Sequence, residues 1–279
     1  MSPLFNYRTL NTRLDKKTKS LNIKLNFLEG EEFYTNEMIS ELDQLFNWLA
    51  GHLEIQSVIF SSITSHFSRG INLKSFTVPG EDDKDLIEKI NSAFSKLRSF
   101  NRAMMLLPQV FIIDYSMGAQ ASGFEFGIGA DLRLANKNCK MSLCTLDRGL
   151  LPMSGGISLL ELQVGPNYAK KWNLLPQVSK KDLQLTGYIS TFYEDSTELE
   201  EMITNLAKLS PTARIQAKGC MIQGQLDQIE KVFNAESNYG LPLLLMNDWK
   251  NTKDTNDFQS VTEIANSLTE YKSEIYQEL

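Results

Sequence analysis

Apolar residues in the first part of the chain switch repeatedly between a period of two and a period near 3.6, and this alternation constrains the fold most. From Ser20 to Phe27 the pattern is strict, with Leu21, Ile23, Leu25 and Phe27 on one side and Asn22, Lys24 and Asn26 on the other. That spacing predicts a half-buried strand. The cluster Asp15-Lys16-Lys17-Thr18 before it suits a turn, with Tyr7 to Leu14 as a hairpin partner. From Thr35 to Gly51 the period becomes helical, placing Met38, Ile39, Leu42, Leu45, Phe46 and Leu49 on one stripe, and Gly51 suits a stop. Short apolar runs at Val58–Phe60, Val110–Ile113 and Asp131–Ala135 predict further strands, with a helix from Asp85 to about Met105 between the first two. Strand, helix, strand, helix, strand implies crossover connections and parallel pairing, hence an α/β body. Beyond about residue 165 strand signals fade and helices are expected at Glu198–Leu209, Thr212–Gln225 and Thr262–Glu278.

Charge and cysteine usage narrow the function. With 28 Lys+Arg against 34 Asp+Glu the formal net charge is −6, which disfavours a general nucleic-acid binder. No apolar run reaches the length of a membrane span, and the first residues lack the pattern of a secretory signal. The three cysteines, Cys139, Cys144 and Cys220, form neither a disulfide framework nor a CxxC. His52 and His66 lack a second ligand at metal spacing, so no metal site is expected and a cytoplasmic protein is the default. Phosphate-loop and dinucleotide-loop glycine patterns are also missing.

Two segments stand out. In HFSRGINLKSF, residues 66–76, Gly70 can take backbone angles barred to other residues, turning the Ile71 N–H into a cleft or simply making a surface turn. In DYSMGAQASGFEFGIGAD, residues 114–131, small residues follow a buried strand and a helix is expected to start near Ser122. Unpaired N–H groups at such a start suit an oxyanion. Glu125 falls in that first turn. Flanked by Phe124, Phe126 and Ile128, it is either a helix-dipole partner or an acid in apolar surroundings whose pKa rises towards neutrality.

Order and spacing resemble the crotonase (enoyl-CoA hydratase/isomerase) superfamily. FSRGINLKSF at 67–76 is similar to its F-S-A-G-x-D-L-K segment, and ASGFEFGIGADLRLA at 121–135 to its G-G-G-x-E-L-x-x-x-C-D-x-R-I-A block. RGLLPMSGG at 148–156 is similar to its L-G-x-x-P-x-x-G-G turn, and LSPTARIQAK at 209–218 to a later helix. The resemblance implies a ClpP/crotonase spiral of ββα units over 1–200 and a helical oligomerisation region over 201–279, which forms trimers or hexamers. It also implies a coenzyme A or acyl-carrier thioester as substrate and no prosthetic group. The thioester oxygen would lie between the Ile71 and Ser122 N–H groups, with Glu125 as the proton-transfer residue.

The chain departs from the family pattern at several points. The position of the family's second glutamate is Thr145, whose hydroxyl cannot serve as an acid or base near neutral pH. If the segment is extended, Asp147 faces the same side about 6–7 Å away and could replace it. Arg69, Asn72 and Lys74 are candidate coenzyme A contacts, and the family's basic C-terminal signature is missing. A single carboxylate suits double-bond isomerisation better than hydration. The alternative is a non-catalytic thioester-binding or assembly protein that has lost its second acid at Thr145.

Overall fold

The computed structural model describes residues 5–27, 31–78, 80, 82–195, 197–246 and 248–250. The expected helix over Thr262–Glu278 lies outside the described residues. The chain opens with the hairpin β1 (Leu10–Asp15) and β2 (Ser20–Leu25), followed by α1 (Asn36–Ala50), β3 (Ser57–Ser62), α2 (Asp83–Leu106) and β4 (Val110–Asp114). Then come β5 (Gly118–Gln120), α3 (Ser122–Glu125), β6 (Leu132–Asn136), β7 (Lys140–Ser142), α4 (Ser158–Val164), α5 (Pro166–Leu174) and β8 (Gln177–Val178). The described chain continues through α6 (Lys180–Thr186), β9 (Thr191–Tyr193), α7 (Thr197–Lys208), α8 (Pro211–Gln223) and α9 (Leu226–Leu245).

A six-stranded sheet runs in the order β1-β2-β3-β4-β6-β9, and a second sheet of three strands runs β5-β7-β8. In the large sheet only β1 pairs antiparallel with its neighbour; the crossovers make every other pairing parallel. The helical stripe of α1 is buried as its period predicts, and Thr35 caps its first turn by accepting from the Met38 N–H at 3.2 Å. Phe46 from that stripe stacks on Phe60, Phe100 and Phe111, joining α1, β3, α2 and β4 into one core. The sheet's opposite face is covered by α7, whose Leu199, Met202, Ile203 and Leu206 pack on Ile59, Val110, Ile112 and Leu134. With both faces covered, β3 and β4 read as continuous apolar runs.

Three features differ from the sequence expectation. The Gly-rich helix is only one turn long: α3 ends at Glu125 and turns follow. Strands β5, β7, β8 and β9 are two or three residues each, too short to show a period. The third is one of placement alone: residue 200, the expected end of the spiral, lies within α7.

Lys218 of α8 reaches into the body of the fold, where its ammonium donates to Met104 O, Gln109 O and Asp131 Oδ2, each at 2.7 Å. Desolvation lowers its pKa, and the Asp131 carboxylate opposes that by favouring the charged form. Lys218→Met takes the cation from Asp131, which is left with the Phe111 N–H, and the shared donor from two carbonyls, so the variant should lose about 3–5 kcal/mol of stability in urea unfolding.

Candidate active site

The segment 66–71 runs alongside β5. Phe67 N–H donates to Gly118 O at 2.9 Å and Gln120 N–H to Ser68 O at 2.9 Å, with a parallel bridge between Ser68 and Ala119. This zips Gly70 against the start of α3. Gly70 has φ +99°, and a Cβ built there would lie 3.1 Å from the Ser122 nitrogen. Tyr34 holds the next residues in place, its N–H donating to Gly70 O at 2.8 Å and its carbonyl accepting from Asn72 N–H at 3.1 Å. Among the described residues, neither the Ile71 N–H nor the Ser122 N–H donates a hydrogen bond. The peptide before Ser122 is turned by Ala121, which carries φ 48° and ψ −129°, a strained conformation for a side-chain-bearing residue. The Ala121 N–H is spent on Ser142 O at 3.0 Å.

Glu125 ends the same short turn and is wholly buried. Its Oε2 accepts from Ser154 N–H at 2.9 Å, Ser154 Oγ at 3.0 Å and Gly156 N–H at 3.3 Å, and its Oε1 is buried without a partner. Burial pushes its pKa up to about 7, and the negative charge of Glu236 pushes in the same direction. The acid therefore sits in a dry environment, as its apolar neighbours in sequence suggest, but it is not the only carboxylate there.

Several residues that the sequence reading missed fix this acid. Asn101, buried on α2, donates to Glu125 O at 2.8 Å and to Ser154 O at 2.7 Å, and accepts from Gly129 N–H at 2.8 Å. Arg133 closes the turn after α3 by donating to Gly127 O, Ala130 O and Tyr188 O. Tyr34 is buried with its hydroxyl unpartnered, its ring 5.8 Å from that of Phe126. Arg133 lies within the 121–135 block itself, whereas Asn101 and Tyr34 show nothing in local sequence and reach the site through long-range folding.

Thr145 is buried with its hydroxyl unpartnered. The segment after it is a 3-10 turn over Leu146–Arg148, not extended chain, and Asp147 is exposed. The condition for Asp147 to replace the missing acid is therefore not met, because the turn breaks the two-residue alternation that would have aligned them. Asp147→Asn should leave turnover within about twofold of wild type, as expected for a surface change.

Arg69 is exposed, with its guanidinium 5.6 Å from the Phe33 ring centroid. Asn72 lines a groove of about 590 Å³ together with Phe27, Phe33, Asn36 and Ser75. Lys74 lies in the 3-10 turn Leu73–Phe76, and its side chain is outside the described part of the structure. Among the described residues no group of three or more His, Cys, Asp or Glu could hold a metal ion, and no helix is long and apolar enough to cross a membrane.

The architecture is that of the crotonase fold. An enoyl-CoA hydratase structure from Bacillus halodurans superposes with a TM-score of 0.77, covering 88% of this chain and 98% of that one at 18% identity. The chain belongs to the enoyl-CoA hydratase/isomerase family, whose family model matches residues 17–268, and it is an enzyme of that family. The protein YhaR of Bacillus subtilis (strain 168) is 25% identical over 77% of this chain and 83% of its own length. The 2,3-dehydroadipyl-CoA hydratase of Escherichia coli (strain K12) is 22% identical over 76% of this chain and 82% of its own.

Proposed function

We propose that the protein moves a proton within an acyl thioester of coenzyme A, or of an acyl carrier, through an enolate whose oxygen is held by Ile71 and Ser122. The observation that carries this reading is the pairing of two uncommitted N–H donors with a buried carboxylate that has one free oxygen. Donors fixed by the fold stabilise the developing oxyanion without reorganising during the reaction. Glu125 removes a proton from one carbon and returns it to another, and a pKa of about 7 suits both halves of that exchange. Hydration needs a second group to manage water, and Thr145 is no substitute for the missing acid. Isomerisation of the double bond is therefore favoured. Arg69, Asn72 and Lys74 are the candidate contacts for the nucleotide part of the substrate.

Self-association into a trimer or hexamer belongs to the same reading, supported by exposed Leu174, Leu175, Leu185, Met221 and Leu245 on the later helices. So does a cytoplasmic setting, which suits the three unpaired cysteines.

The test is to incubate the protein with 2-enoyl, 3-enoyl and 3-hydroxyacyl thioesters in deuterated water. Deuterium at the α or γ carbon with a shifted double bond is expected. Water addition without isomerisation would instead make it a hydratase. Binding with no exchange on any substrate would favour a non-catalytic thioester-binding protein.

A further inference from the structure

Five successive N–H groups, from Ser154 to Ser158, turn to two different carboxylates. Those of Ser154 and Gly156 go to Glu125 Oε2. Those of Gly155, Ile157 and Ser158 go to Glu236, at 2.7 Å to Oε2 and 3.1 and 3.0 Å to Oε1. Gly155, with φ +115°, lets the backbone alternate in this way. Glu236 comes from α9, and like Glu125 it is buried. A buried carboxylate is costly unless it is bonded, and both of its oxygens are, so it does not face a substrate. One turn further on, a Cβ at Gly240 would press on the Met153 side chain, so α9 sits directly on the residue before this loop.

We propose that Glu236 is the positioning residue for Glu125, fixing the loop that grips its carboxyl and setting by its own charge how readily that carboxyl takes up a proton. Two carboxylates bound to adjacent amides in a dry interior cannot both be charged without mutual repulsion. Burial and Glu236 both push the Glu125 pKa up, while burial raises Glu236 itself to about 6. The opposing charge is Arg98 of α2, which donates to Phe233 O at 3.2 Å and to Ser237 Oγ, on either side of Glu236 in the sequence of α9. It draws the Glu236 pKa down. Glu125 itself interacts with Arg98 and with the Tyr34 and Tyr188 phenols, whose pKa values burial raises, so both phenols are neutral. The Arg102–Glu230 pair joins α2 and α9 at the exposed surface. The catalytic meaning of this coupling rests on the proposed function; the coupling itself does not.

The experiment is a carbon-13 titration of the carboxyl groups in protein labelled at glutamate, with Glu125→Gln assigning the Glu125 signal. Glu236→Gln removes a charge and keeps an acceptor, so the Glu125 midpoint should fall by about one pH unit. Arg98 also acts directly on the Glu125 carboxylate, and the three N–H groups on Glu236 keep that carboxylate bonded. Arg98→Gln therefore removes a favourable charge from Glu125 and should move its midpoint the other way. The opposed shifts distinguish electrostatic tuning from loss of structure, which would admit water to Glu125 and lower its midpoint in both variants. A Glu125 midpoint unchanged in both variants, or unchanged in Arg98→Gln should the first fail to fold, overturns the proposal. Because the titration needs no substrate, a lack of turnover on every thioester would count against the proposed reaction alone.

Discussion

Glu125→Gln is expected to abolish proton exchange and, at the same time, to make the protein more stable above neutral pH. The loss of a positioned acid/base group costs about 100- to 10,000-fold in rate, so the deuterium exchange seen with wild type should fall to near background. The gain in stability has the same origin as the lost activity. Burial holds the folded-state pKa at about 7, against an ordinary value of 4.5 that the unfolded chain regains. Between those values the folded chain carries a proton that the unfolded chain has released, so stability falls as the pH rises through this window. Ionising the buried carboxyl therefore costs the folded state about 3 kcal/mol once the pH is above 7. Glutamine stays neutral and escapes that cost. Urea unfolding of both proteins at pH 5 and pH 8.5 checks the claim, with little difference at the lower pH and a more stable variant at the higher one. Equal stability at both would mean that Glu125 is neither as dry nor as proton-retentive as the structure makes it.

Gly70→Ala should be nearly as damaging to turnover while leaving the chain folded. The added methyl would lie 3.1 Å from both the Ser122 nitrogen and the Ala121 Cβ, between the two donors and on a backbone with φ +99°. Alanine is strained there, so the Gly70–Ile71 peptide would have to rotate and take its N–H out of line. Loss of one oxyanion donor typically reduces kcat about 100- to 1,000-fold. The expected result is a kcat/KM lowered by that amount with cooperative unfolding retained. A variant within threefold of wild type would remove Ile71 and Ser122 from the proposed mechanism.

Periodicity made the first half of the fold legible. Strand β2, the stripe of α1 and the apolar runs of β3 and β4 each span enough residues for a period of two or 3.6 to emerge. The three-residue strands β5, β7 and β9 do not. The chain from Phe126 to Gly129 looked like helix because it is apolar, yet Gly127 and Gly129 are there for close approach: a Cβ would meet the Tyr115 hydroxyl or the Asn101 carbonyl. Ile71, Ser122 and Glu125 were legible as candidates because they sit within compact local patterns. Asn101, Tyr34 and Glu236 were not, since each is an ordinary helix or loop residue until folding brings it from 24 or more positions away, as in the Asn101–Glu125 bond. Asp147 is the reverse case: an extended chain would have set it on the same side as Thr145, and the 3-10 turn leaves it exposed instead.

The lysine on α8 has a bearing on how the molecule assembles. Its partners lie 87 to 114 positions earlier in the chain, on the segments that lead into β4 and β6. Those oxygens are exposed until the C-terminal helices have been made and have docked. A ribosome-bound chain that stops short of α8 therefore lacks the ammonium that bonds Asp131, just ahead of β6. A separately expressed front half should be held in an incompletely sealed state, with those oxygens open to water.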